Sequence, residues 1–121
     1  MNNGVHEGDL FTWTNGTGSD VSSGDIVAVD GVLYVATVDI ADTATGVIRT
    51  NYAVKAPKVS AAVIAAGETV IWDTSAGAFD DNAATPATGD ISGAAARAVA
   101  AGTAAETTID VKLTGVQGTV A

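Results

Sequence analysis

Short runs of β-branched and aromatic residues, broken by glycine- and aspartate-rich intervals, set the rhythm of this chain. The runs are Leu10–Thr14, Ile26–Val29, Val32–Val38, Gly46–Arg49, Tyr52–Lys55, Thr69–Trp72 and Thr107–Leu113. Each has strand length and the residue types that fit a pleated surface. The last alternates most cleanly, with Ile109, Val111 and Leu113 on one side and Thr108, Asp110 and Lys112 on the other, which predicts one face turned inward. The strongest breaks are Asn15–Asp20, Asp30-Gly31, Ser75–Gly77 and the stretch Asp80–Asp90 with Pro86 and Gly89. Asp30-Gly31 stands between two apolar runs and reads as a two-residue hairpin turn. The pattern predicts an all-β fold: a small compact domain, β-barrel-like or a β-sandwich, with short strands, Gly/Asp-rich turns and little helix. Trp72, Val27, Val70, Ile109, Val111 and Leu113 are the expected core.

Two segments do not declare a period. Gly93–Gly102 is alanine-rich and bounded by glycines, so intrinsic propensity favours a short helix while the surrounding grammar favours strand and loop. Val59–Ala66 is equally open, because its residues suit a close-packed strand or a helical turn. A weak echo links Gly24–Asp30 to Gly67–Asp73: glycine, acid, any residue, valine, two apolar residues, aspartate. Each copy reads as a glycine free to take positive φ, an exposed acid and a strand entering the core. Reuse of turn-then-strand grammar accounts for the echo better than duplication does, and either way the echo supports β.

Composition narrows the picture. At 121 residues the chain fits one domain, spanning 1–121. With no cysteine it has no disulfide framework, thiolate nucleophile or cysteine zinc site. Fourteen acids against five bases give a net charge of -9, which removes any electrostatic reason to bind a phosphate backbone, so no nucleic-acid partner is expected. The first 48 residues carry seven acids and no Lys or Arg, so Arg49, Lys55, Lys58, Arg97 and Lys112 all come later. The opening Met1–Asp9 lacks the basic and apolar regions of a secretory signal. Val59–Ala66 falls far short of the ~20 residues that cross a bilayer, so no membrane role is expected. The expectation is a soluble protein made in the cytoplasm, with residues 1–9 a flexible arm too polar to pack alone.

Candidate chemistry is sparse. His6 is the only histidine, with no G-x-S-x-G elbow, which argues against a triad or a His-based metal site. Neither a P-loop nor a dinucleotide fingerprint is present, so no cofactor is indicated. Asp80-Asp81-Asn82 with Asp90 offers oxygen ligands but lacks the EF-hand spacing and its terminal Glu, and reads better as a solvated acidic loop than as a metal site. No two acids are marked out as a glycosidase pair. Trp13, Tyr34 and Trp72 would serve either as a sugar-stacking platform or as packing residues.

The order of the landmarks carries more than any one of them. Glu7-Gly8-Asp9, Val21–Val27, Val35-Ala36 with Asp39–Ala41, Pro57-Lys58, Gly67–Asp73, Ile91–Ala95, Ala101-Gly102 and Val111–Leu113 follow one another as in the small capsid decoration, or cement, proteins of tailed bacteriophages, which this chain resembles from about Glu7 to Leu113. It departs at Ile71, where the family usually has an aromatic, and in a tail after Leu113 that outruns the usual ending. The resemblance implies a non-enzymatic structural protein of the virion that binds the outer surface of a phage head. It also implies a homotrimer whose partner is the major capsid protein, and strand and loop at Gly93–Gly102. It further implies an N-terminal arm lying against the shell, so Asn2, Asn3, Gly4, Val5, His6 and Glu7 are the expected capsid contacts. A non-catalytic carbohydrate-binding β module on a virion fibre or surface is the alternative, and a small acidic hydrolase a more distant one.

Overall fold

The computed structural model describes residues 10–121, and among these no helix is present. Eleven strands follow in order: β1 (Leu10–Thr14), β2 (Ile26–Val29), β3 (Val32–Ala36), β4 (Thr45–Arg49), β5 (Tyr52–Pro57), β6 (Val70–Asp73), β7 (Ala78–Asp81), β8 (Ile91–Ser92), β9 (Ala96–Ala98), β10 (Thr108–Leu113) and β11 (Thr119–Val120). They form three sheets in which every pairing is antiparallel: sheet I in the order β1-β4-β3-β2, sheet II in the order β5-β10-β9 and sheet III in the order β11-β8-β6-β7. The all-β expectation therefore holds, but no barrel closes. Sheets II and III meet only at single bridges, Lys58 with Phe79 and Thr69 with Arg97, and a single bridge cannot propagate the ladder that closure requires.

The β2–β3 hairpin forms as its sequence demands. Val29 and Val32 close the ladder, while Asp30 and Gly31 take φ of 52° and 82°, the two positive values of a turn whose twist matches that of its strands. Both glycines that open the internal echo, Gly24 and Gly67, have positive φ, at 94° and 86°. Gly46 is a different case, since a Cβ there would sit 2.5 Å from Cγ1 of Ile40, so glycine lets the buried Ile40 cross the strand.

The larger core gathers side chains of all three sheets, among them Leu33, Val35, Val70, Trp72, Phe79, Ile109, Val111 and Leu113. Trp72 pairs with Phe79 across the β6–β7 hairpin, their rings edge-to-face at 4.9 Å. A smaller core under sheet I holds Val21, Val27, Ala36, Ile40 and Ile48, with Phe11, Trp13 and Tyr34 packed against it. Ile109, Val111 and Leu113 are buried and Thr108 and Lys112 exposed, as alternation requires.

Gly93–Gly102 is not a helix. Ala96–Ala98 forms β9 against β10, with Ala96 and Ala98 buried and Arg97 outside. Small side chains let the strand lie close to the core, and this overrides propensity. In Val59–Ala66 an isolated bridge joins Ile64 to Gly102, with no regular element.

Candidate functional site

Among the described residues three polar ones, Asn15, Lys58 and Asp90, are buried, and each organises backbone. Asn15 is fully enclosed: its Nδ2 donates to the carbonyls of Ser19 (2.7 Å) and Ile40 (3.0 Å), and its Oδ1 accepts from Thr17 N (3.0 Å) and Thr17 Oγ1 (2.7 Å). Every hydrogen-bonding site of the amide is used, which fixes the break predicted at Asn15–Asp20. Asp90 accepts from Thr74 N (3.1 Å) and Ala87 N (2.9 Å). Lys58 is buried with no carboxylate at ion-pair distance among the described residues, Glu106 acting on it only through space, and its ammonium donates to the carbonyls of Val59 (2.7 Å), Ser60 (3.2 Å) and Ala62 (2.6 Å). Its stem lies against Gly102, where a Cβ would come within 2.9 Å of Lys58 Cδ.

The sequence candidates for chemistry do not converge. Asp80 accepts from Asp81 N (2.8 Å), Asn82 donates to Thr69 Oγ1 (3.4 Å) and Asp90 serves the two amides just named. The aromatic platform is likewise divided. Trp72 is 8% exposed in the larger core, whereas Trp13 and Tyr34 pack on the smaller one and Tyr34 stacks with Phe11 at 5.7 Å. Burial, and secondarily the charge of Asp30, raises the Tyr34 phenol above its ordinary pKa. Val27, Val70, Ile109, Val111 and Leu113 are all buried in one core or the other.

Charge is laid out unevenly over the surface. Asp20, Asp25, Asp39 and Asp42 are exposed on two loops joined by the Val21–Ile40 bridge. Their carboxylates accept backbone amides: Asp42 N to Asp20 (2.9 Å), Ser23 N to Asp39 (2.8 Å) and Ser22 N to Asp25 (2.9 Å). The bases are distributed differently. Lys58 is buried, and Arg49 lies over the Tyr52 ring at 4.3 Å. The remaining three, Lys55, Arg97 and Lys112, are exposed on the outer side of sheet II. Lys55 pairs with Asp110 at 3.0 Å. Sequence reading registered the late position of the bases but could not place three of them on one face, because that depends on strand register.

The family model for phage cement proteins matches residues 5–113. The chain belongs to this family. A search of curated proteins finds no match. The match to the cement family takes in β1 to β10 and nearly every core residue, and it ends at Leu113. Thr114–Ala121 lies beyond it and folds back: β11 pairs with β8, Gly118 N donates to the carbonyl of Gly31 (2.8 Å) and Gln117 Nε2 to that of Asp30 (2.7 Å). The expected capsid contacts Asn2, Asn3, Gly4, Val5, His6 and Glu7 lie outside the described residues of this cement-family chain.

Proposed function

We propose that the chain is a structural, non-catalytic virion protein, a single decoration domain. It binds the outer surface of a phage head through the major capsid protein and stabilises the shell as a homotrimer. The observation that carries this reading is the cement-family match over residues 5–113. Physical character supports it. A net charge of -9 keeps copies soluble at high number and indifferent to the packaged genome. Surface positions rich in Thr, Ala and Val lose little side-chain entropy when two flat faces meet. Three equivalent contacts made by one trimer raise the effective concentration, so a weak site becomes long-lived occupancy.

In this reading the chain is made in the host cytoplasm and ends on the capsid exterior, with residues 1–9 as the arm that touches the shell. The test is to add purified protein to undecorated heads and measure occupancy by pelleting, then heat the decorated heads. Saturable binding and a higher disruption temperature are expected. Heads that bind no protein at any concentration would sink the reading.

A further inference from the structure

We propose that the outer face of sheet II is the surface through which one copy of this chain holds a second, seated on the acidic loop pair of its neighbour. The proposal rests on the homotrimer reading above and names the two faces that meet.

The face is uncovered. Ala53, Lys55 and Pro57 of β5, Lys112 of β10 and Arg97 of β9 are all exposed, and Val99, just beyond β9, is 54% exposed beside them. The central strand β10 turns Thr108, Asp110 and Lys112 outward, with the small apolar Ala53 and Pro57 on β5 and Val99 beyond β9 flanking them, so polar groups and uncovered apolar surface are mixed on one face. The register adds a second observation, for Lys112 and Arg97 stand directly opposite one another. Like charges at cross-strand positions repel, and among the described residues the ion pair on this face is that of Asp110 with Lys55, which leaves Arg97 and Lys112 outside it. Arg97 Nη1 finds the carbonyl of Gly67 at 3.2 Å, a partner that leaves its charge uncompensated. Within the isolated chain the Arg97–Lys112 pair is a cost. Against an anionic surface it becomes an attraction.

That anionic surface is present on every other copy. Residues 20–42 carry Asp20, Asp25, Asp30, Asp39 and Asp42 without a single Lys or Arg, and the knitted loops hold Asp20, Asp39 and Asp42 exposed together. Symmetry then selects the kind of assembly. An isologous dimer through sheet II would bring Arg97 and Lys112 against their own copies, like charge on like. Joining sheet II of one copy to the loops of the next is a heterologous contact, which satisfies both charges, and a rotation of one third of a turn per copy closes it as the trimer of the reading above. Such contacts are screened by salt, so association is predicted to weaken as ionic strength rises.

The experiment is sedimentation velocity on the full chain at about 50 mM and about 500 mM salt, where the screening length falls from roughly 14 Å to roughly 4 Å. The wild type is expected to be trimeric at low salt and to dissociate at high salt. Two doubly reversed variants, Arg97→Glu with Lys112→Glu and Asp39→Lys with Asp42→Lys, are each expected to lose the trimer, and all four substitutions in one chain are expected to restore it. Lys112→Glu alone separates assembly from folding: it replaces a repulsive cross-strand pair by an attractive one, so it is expected to preserve or raise the melting temperature while weakening association. A salt-insensitive trimer, a dimer, a wild type monomeric at low salt, or reversed variants that assemble like the parent would each overturn the proposal. Head binding by the same variants reports on the capsid reading separately, since a monomer that still pellets with heads leaves that reading standing.

Discussion

Removing the Lys58 ammonium tests whether a buried cation held by backbone carbonyls holds this fold together. Lys58→Met keeps most of the stem that lies against Gly102 and deletes only the charged head. Three carbonyls lose a donor. That of Ser60 belongs to an exposed residue and rehydrates, and that of Val59 keeps its bond from Ala62 N at 3.0 Å. The carbonyl of Ala62 is in a buried setting and is left without that partner. One stranded buried acceptor costs about 1–3 kcal/mol, and losing charge-assisted bonds adds to this, whereas deleting the ammonium removes its own desolvation penalty. The net expectation is a loss of about 2–3 kcal/mol, or a melting temperature lower by roughly 8–12 °C for a domain of this size. Unlike a buried ion pair, whose two side chains can both be replaced by apolar ones, these acceptors belong to the backbone and remain. Thermal melting gives the magnitude, and hydrogen exchange across residues 59–64 gives the location. A Met variant that melts within about 2 °C of the parent, with unchanged exchange in that segment, would refute the reasoning.

Trp72→Ala empties the site beside Phe79 and should cost about 3–5 kcal/mol by chemical denaturation, enough to unfold much of a marginal domain. Gly118→Ala would place a methyl 2.5 Å from the carbonyl oxygen of Ser92, so exchange at residues 117–121 should accelerate several-fold while residues 108–113 stay protected. Asp73 is held below the usual carboxylate range, first by the amide of Ala76 and then by the hydroxyl of Ser75. Its contribution is therefore full above that range and lost as pH falls through its depressed value, and melting temperature against pH should fall less steeply in acid for Asp73→Asn. Deleting residues 1–5 should leave the melting temperature nearly unchanged and weaken head binding by tenfold or more, about 1.4 kcal/mol per site, as read by pelleting.

What the sequence made legible was local. Asp30-Gly31 announced a turn that needs only its own two residues and their flanks, and Ile109, Val111 and Leu113 announced a buried face by alternation alone. Trp72 was identifiable by its apolar neighbours. β7 was missed because Asp80 and Asp81 look like loop, although Ala78 and Phe79 before them are both buried and the strand pairs with β6. β9 was ambiguous because alanine serves helix and strand alike until the packing distance is known. Lys58 stood in the sequence only as one of five bases, with nothing to mark it as buried. Only the path of residues 59–62 around its head gives three carbonyls to an ammonium. The cationic face of sheet II was invisible for a similar reason, since Arg97 and Lys112 are fifteen positions apart in the sequence and become neighbours through register alone.

The fold-back of Thr114–Ala121 also fixes the order in which the structure can be completed. Gln117 reaches Asp30 across a sequence separation of 87 residues, and β10 must find β5 some fifty positions earlier. Chain synthesis delivers the β2–β3 hairpin first, and its ladder is local enough to form early. The turn at its tip stays uncovered until residues 117 and 118 have left the ribosome and returned to it. Sheet II likewise waits for β10. Completion of this fold thus waits on slow loop closure. The same long closures tie the β2–β3 turn and β5 to segments that follow them by some fifty positions or more.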